Sequence, residues 1–301
     1  MPLRTDIWRI AVVDRPVTAL DAADDWRDGI HWLPEEPPFT FLADPFGLWR
    51  DGRLHVFAEA FDYRTRHGVI DLIELDAAFV PIRRTTVLRE PWHLSYPQVF
   101  EHDGEVWMLP EAHRSGALTL YRAAPYPERW EPALRLPLDG PAVDATVFQW
   151  EGLWWLAYSP SGPQSYKQGR LHLAYAERLL GPWRTHPGNP VRIDRRSSRP
   201  GGAPFLRRGR LILPVQDCSR TYGGAIRWLR IQALTPDRFE AIDIPGLRAP
   251  RGAAPYVDGL HTVSACGPVT LIDVKRIDRS PGGLLLDLGR RLRRTAARTS
   301  A

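Results

Sequence analysis

Four carboxylates stand at matched places along the chain and could do acid–base chemistry together. Asp44 and Asp144 each lie eight residues before a hairpin glycine, Gly52 and Gly152. Tyr96 and Gly201 hold the same offset from Gly104 and Gly209. Seven residues after these glycines come Glu59, Glu111, Ser159 and Gln216, with Asp217 next. An acid in an apolar strand is costly to bury unless it is paired or used, so matched register points to one shared site. Paired carboxylates are the usual means of cleaving a glycosidic bond. One protonates the leaving oxygen and the other activates water or attacks directly, at separations of roughly 5 to 10 Å. A third carboxylate tunes the acid through like charge. Asp44, Glu111 and Asp144 are therefore the candidate catalytic groups. Glu111 and Asp217 are the candidate proton donors, with Glu59 and His261 as helpers and Tyr96, Gln216 and Tyr222 as further contacts to substrate. Arg199, beside Gly201 and Gly202, could hold a phosphate or carboxylate bidentately. The competing expectation is that each acid ties neighbouring strands together.

The elements that must position these residues form a repeat. Segments 43–52, 95–104, 143–152 and 200–209 share one pattern, a short run ending at a turn glycine and followed by an apolar strand; 259–267 is a shorter fifth unit. The turns Asp51-Gly52, Asp103-Gly104, Glu151-Gly152 and Arg208-Gly209 are hairpin signals. Further strand-like runs, such as 69–75, 118–122 and 171–175, lie between them. Intervals of 52, 48 and 57 residues, with about four strands per unit, describe propeller blades. The expected fold is all-β: a five-bladed β-propeller of four-stranded antiparallel blades over residues 1–278, then a basic tail, 279–301. The 29 prolines disfavour long helices.

Composition narrows the function classes. Residues 275–301 hold eight Lys/Arg against two Asp, so the net charge of +5 comes from the tail and the body is near −1. No basic, aromatic-interleaved motif marks the body for nucleic acid. The two cysteines, Cys218 and Cys266, suit neither a disulfide scaffold nor a metal spacing. No metal or cofactor motif is present, although a carboxylate-lined axis could hold Ca²⁺. Twelve tryptophans serve as core filling or as platforms for sugar rings. No apolar run is long enough to span a membrane and no signal core opens the chain, which gives a cytoplasmic expectation.

The strings Phe41-Leu-Ala-Asp-Pro-Phe46 and Val143-Asp-Ala-Thr-Val-Phe148 resemble innermost strands of the five-bladed glycosidase superfamily, which includes levansucrases, invertases, and the arabinanases and xylosidases of family 43. That resemblance implies a base or nucleophile at Asp44 and a pKa-tuning role at Asp144. The superfamily's proton donor is a fourth-blade Glu, where this chain has Arg199-Pro-Gly-Gly-Ala-Pro-Phe205. A likeness over nearly the whole chain is carried by Ser95-Tyr-Pro97, Leu109-Pro-Glu111, Gly181-Pro-Trp183, 186–191, 198–202, Gln216 to Gly223 and Gly259-Leu-His-Thr262. It is similar to the N-terminal domain of plant glucosamine inositolphosphorylceramide transferases and stand-alone bacterial relatives. In the plant proteins, transferase activity is attributed to a separate C-terminal domain. The resemblance thus implies a carbohydrate-related propeller acting on a polysaccharide or glycolipid, as a hydrolase or glycosyl-transferring enzyme. The alternative is a non-catalytic glycan-binding domain working with a separate transferase.

In the tail, Leu284, Leu285, Leu288 and Leu292 fall near one helical face with arginines opposite. This is the pattern of a basic amphipathic helix suited to peripheral contact with an anionic membrane surface or to an acidic partner; the alternative is a disordered, solvated tail.

Overall fold

Each two-residue hairpin turn is set by backbone conformation. Asp51 and Gly52, Asp103 and Gly104, Glu151 and Gly152, and Arg208 and Gly209 all have positive φ, between 48° and 79°. That is the paired left-handed geometry that lets a tight turn follow the twist of its strands. The computed structural model describes residues 5–21, 28–286 and 288–289.

The strands assemble into five antiparallel sheets, one per blade. Blade one runs Thr40–Arg50, Arg53–Asp62, His67–Leu75, Pro81–Leu88; blade two runs Ser95–His102, Glu105–Glu111, Thr119–Ala123, Trp130–Arg135. Blade three is Ala142–Trp150, Leu153–Pro160, Arg170–Ala176 and the short Arg184–Thr185, with Arg192–Ile193 also pairing its third strand. Blade four has a broken innermost strand, Arg199–Pro200 and Phe205–Arg207, followed by Arg210–Gln216, Ile226–Thr235 and Arg238–Pro245. Blade five joins the chain ends. Gly259–Cys266 and Val269–Asp278 form its inner half, and Thr5–Val13 and Ile30–Trp32 its outer half. Thr5 pairs with Asp278 and the register holds to Val13 with Thr270. The degenerate fifth unit is thus completed by the N-terminal strands, and the expected five-bladed propeller of four-stranded antiparallel blades is the observed fold.

Each innermost strand is interrupted where the site residues lie. The pairing register shifts between Ala43 and Phe46, Ser95 and Gln98, Val143 and Thr146, and Leu260 and Val263. In the first three, the residue inside the shift is left-handed: Asp44 at φ 52°, Tyr96 at 47°, Asp144 at 48°. A bulge of this kind bends the strand and re-aims one side chain.

Apolar clusters fill the spaces between neighbouring blades. Phe46, Phe57 and Leu72 of blade one meet Tyr96, Val99 and Met108 of blade two. Trp107 and Leu109 meet Val147, Trp154 and Leu156. Trp155 and Leu173 meet Leu213 and Leu229. Trp107, Trp154, Trp155, Trp183 and Trp228 are all buried in such clusters, so tryptophan is mainly core here, each side chain contributing ~2 to 3 kcal/mol by burial. Cys218 and Cys266 are buried and unpaired. A short helix, Gln164–Gly169, lies between the second and third strands of blade three. A second begins at 281 after the last strand, with Ser280 Oγ accepting Gly283 N at 3.1 Å. Leu284, Leu285 and Leu288 are exposed there while Leu286 packs on the core; Leu292 lies outside the described residues. No described helix is long and apolar enough to cross a membrane.

Candidate functional site

Antiparallel pairing brings the start of each innermost strand to the end of its second strand. Asp44, Tyr96, Asp144, Arg199 and His261 therefore share one end of the channel with Glu59, Glu111 and Gln216. All eight are buried. Ring contacts add Tyr222, which meets His261 edge-on at 5.3 Å and carries the Arg199 guanidinium 5.0 Å from its ring centroid.

Hydrogen bonds run around the channel from blade to blade. Asp44 N donates to Asp273 Oδ2 at 2.9 Å, Tyr96 N to Asp44 Oδ2 at 3.3 Å, and Asp144 N to Glu111 Oε2 at 3.2 Å. In each case a carboxylate of one blade accepts the N–H of the next blade's bulge residue, which is the tying role weighed against catalysis above. Tyr96 OH accepts Gly202 N at 2.6 Å and lies 2.9 Å from Thr146 Oγ1. Asp144 accepts from Arg199 Nε at 2.6 Å and Nη2 at 3.0 Å, and from Gln216 Nε2 at 2.6 Å. The Arg199 Nη1 goes to Lys167 O at 3.1 Å. Arg199 is thus not open for an anionic substrate group: its bidentate edge is already spent on Asp144. Asp217 is not brought into the channel network. Its Oδ1 accepts Ser219 N and Oγ, closing its own turn, because the chain leaves the sheet at Gln216.

Blade five supplies groups that the repeat spacing did not reveal. Asp273 Oδ1 accepts His261 N at 3.1 Å and Thr262 N at 2.9 Å, and its Oδ2 lies 2.7 Å from His261 Nδ1. His261 Nε2 faces Asp44 Oδ1 at 3.5 Å, and Thr262 Oγ1 donates to that oxygen at 2.8 Å. The imidazole stacks on Trp8 of the N-terminal strand, centroids 3.6 Å apart. Asp273 had a readable signal, a charge inside the apolar run Leu271-Ile-Asp-Val274. His93, 3.4 Å from Glu59 Oε1, comes from a loop, and His113, 2.6 Å from Glu111 Oε1, from a single 3-10 turn, His113–Ser115; both lie outside the repeat and had none.

Environment separates the acids. Burial, then the charges of Asp44, Glu111, Asp144 and Asp273, push Glu59 well above the usual carboxylate range. Burial also works to raise Glu111, but the His113 hydrogen bond and charge, with Arg199, outweigh it and bring Glu111 to about 2. Asp44 is raised by burial, opposed by His261. Burial lowers His261, yet Asp273 and Asp44 overcome it and the net shift is upward, toward imidazolium. Burial drives Asp144 up, to about 8, against the pull of Arg199. The geometry sides with the ion at Asp144, since both oxygens accept N–H from groups that give up no proton. His93 falls to about 4 by burial.

Asp44, His261 and Asp273 bring ligand-type atoms within 4.8 Å of one another. Ca²⁺ takes six to eight oxygens, whereas here one donor is an imidazole and Asp273 already accepts four N–H groups. The cluster fits a hydrogen-bonded relay better than a cation cage.

Known proteins share both the fold and the sequence. A family 43 glycoside hydrolase described as thermostable superposes with a TM-score of 0.53 at 14% identity, covering 74% of this chain and 85% of that one. A family 117 glycoside hydrolase from Zobellia galactanivorans superposes with a TM-score of 0.54 at 14% identity over 92% of each chain. These likenesses are of fold. In sequence, glucosamine inositolphosphorylceramide transferase 1 of Arabidopsis thaliana is 34% identical over 253 residues, 81% of this chain and 32% of that protein. The Oryza sativa subsp. indica protein of the same name is 35% identical over 211 residues, 69% of this chain and 28% of that protein. The chain thus spans about a third of the length of the curated relatives it matches. Residues 33–253 match the family described as glucosamine inositolphosphorylceramide transferase 1, N-terminal, and the chain belongs to that family.

Proposed function

We propose that this propeller acts on a glycosidic bond of a polysaccharide or glycolipid, with Glu59 as proton donor and Asp44 as the acceptor carboxylate. The observation that carries this reading is the separation of the channel acids: burial and neighbouring carboxylates push Glu59 upward, toward the neutral acid, while His113 and Arg199 bring Glu111 down to about 2. Carboxyl groups driven apart in one site are how a single fold runs acid and base chemistry at one pH. Glu59 would protonate the leaving oxygen. Asp44, where His261 and the Thr262 hydroxyl oppose the upward push of burial, would take the proton of the attacking hydroxyl or water. Burial, then the charges of Asp44, Glu111 and Asp144, pushes Glu59 toward the neutral acid. Ionised Glu111 and turn-bound Asp217 are poor donors. The names of the curated relatives support a glycolipid or glycan as the class of substrate.

The test is turnover on a panel of polysaccharides, glycolipids and aryl glycosides. Glu59→Gln should lower kcat by ~10²- to 10⁴-fold, the contribution of a general acid, with folding retained because Glu59 holds no backbone N–H. Wild-type turnover in Glu59→Gln would rule out this donor. The second reading, a glycan-binding propeller that presents substrate to a separate transferase, is favoured by the tying role of Asp44, Glu111 and Asp273. Equal glycan binding by wild type and Glu59→Gln, with product from neither, selects it.

A further inference from the structure

The last strand ends at Asp278, and the chain turns at once into a helix. Val269–Asp278 is second from the channel in blade five, so it finishes at the end where the innermost strands begin and the site residues lie. Ser280 Oγ and Ser280 O accept the N–H groups of Gly283 and Leu284, at 3.1 and 3.0 Å. The helix is described over residues 281–286 and 288–289. Close packing fixes its inner side. A Cβ at Gly282 would meet the Phe39 ring at 2.8 Å, Gly283 is buried, and Leu286 packs on the cluster that holds Phe41 and Tyr63. Phe39 directly precedes the innermost strand of blade one, so the helix stands beside the site end of the channel.

The outer side of a surface helix is ordinarily polar. Here it is apolar. At 3.6 residues per turn, Leu284, Leu285 and Leu288 fall within one arc of about 100°, with Leu286 on the far side. Their exposures are 39%, 69% and 45%. Single exposed leucines are ordinary, but three within five residues on one helix face form a patch. Val257, 53% exposed, leaves the sheet at the same end, where its neighbour Asp258 accepts Ile277 N at 2.8 Å. The chain around the patch is cationic: residues 279–301 carry six arginines against one carboxylate, Asp287, and Arg279 is exposed.

We infer that this helix docks on an anionic lipid surface and holds the site end of the channel toward the bilayer. The leucines enter the acyl boundary while arginine neutralises the headgroups, the division of labour of an interfacial helix. A second copy of the chain fits the patch less well. An isologous pair sets a patch against itself, which would bring two arginine-rich segments together. Three leucines also fall short of the ~800 Å² per partner that a stable interface buries. The inference goes beyond the glycan reading and does not depend on it.

The test is co-sedimentation of the full chain with two vesicle preparations, phosphatidylcholine alone and phosphatidylcholine with phosphatidylglycerol in equal parts. The anionic vesicles should be bound at least roughly tenfold more tightly, and salt should erode the difference. Leu284→Ser/Leu285→Ser/Leu288→Ser, its Tm unchanged because these side chains are exposed, should lose at least roughly tenfold in affinity for the anionic vesicles. A nitrobenzoxadiazole label on Leu285→Cys, specific because Cys218 and Cys266 are buried, should brighten and shift to the blue when they are added. No binding to the anionic vesicles, equal binding to both preparations, or binding unchanged in the serine variant overturns the inference. So does self-association that the serine variant abolishes, with no vesicle binding, which would give the patch to a second copy.

Discussion

Glu59 is the channel acid with the least support. Asp44, Glu111, Asp144 and Asp273 each accept at least two donors, whereas among the described residues Glu59 faces only His93, at 3.4 Å. Linkage makes this visible in stability. A carboxyl raised in the fold stabilises below its ordinary pKa, and that contribution is lost as pH rises through the raised value. Glu59→Gln keeps the neutral form, so its unfolding free energy relative to wild type should improve steadily as pH rises above ~4.5, read by urea unfolding at several pH values. His93 acts at the other side. Its pKa falls to about 4, so its stabilisation is complete above ~6.5 and is lost as pH falls through 6.5 to 4, by up to roughly 3 kcal/mol. His93→Gln should flatten that limb. Arg199→Met should leave Asp144 buried without its partner, at a cost of ~3 to 5 kcal/mol. A calorimetric Tm unchanged in this variant would show the pair to be dispensable. Spacing alone located Asp44, Glu59, Glu111 and Asp144, because bulges at matched register recur with the blade. His93, His113 and Asp273 escaped it, since a loop or a single 3-10 turn has no strand register and Asp273 sits one strand position away from the matched ring.

The element that matters most is the broken innermost strand of blade four. Gly202 has φ +142°, and a Cβ there would meet Val263 O at 1.9 Å, a backbone atom that cannot step aside. Its N–H also donates to Tyr96 OH. Gly202→Ala should cost roughly 3 kcal/mol or more. Gly52→Ala, at φ +72° with nothing within 4 Å, should cost only ~1 kcal/mol; thermal denaturation of the pair separates contact from conformation. The four hairpin turns were legible as Gly-containing pairs. The break at Gly201 to Pro204 was not, because a Gly-Gly-Ala-Pro run reads as a turn and the carbonyl it packs against lies some sixty residues away in sequence.

At the scale of the molecule, the propeller closes through the pairing of Thr5–Val13 with Val269–Asp278. Trp8 on that strand also stacks on His261, so closure and site share one element. Removal of residues 1–13 should unzip blade five, uncover Leu271 and Ile272, and abolish cooperative unfolding, with the near-UV signal of the buried tryptophans lost. The period of about fifty residues made five blades legible. It did not reveal that blade five takes its outer strands from the opposite terminus, because strand pairing over that distance leaves no local pattern.

The protonated Glu59 carboxyl is the central claim, and infrared difference spectroscopy tests it directly. At pH 7 the spectrum of wild type minus Glu59→Gln should contain the C=O stretch of a neutral carboxylic acid, shifting in D₂O. A difference spectrum showing only carboxylate bands at pH 7 would mean that Glu59 is ionised and would contradict the account.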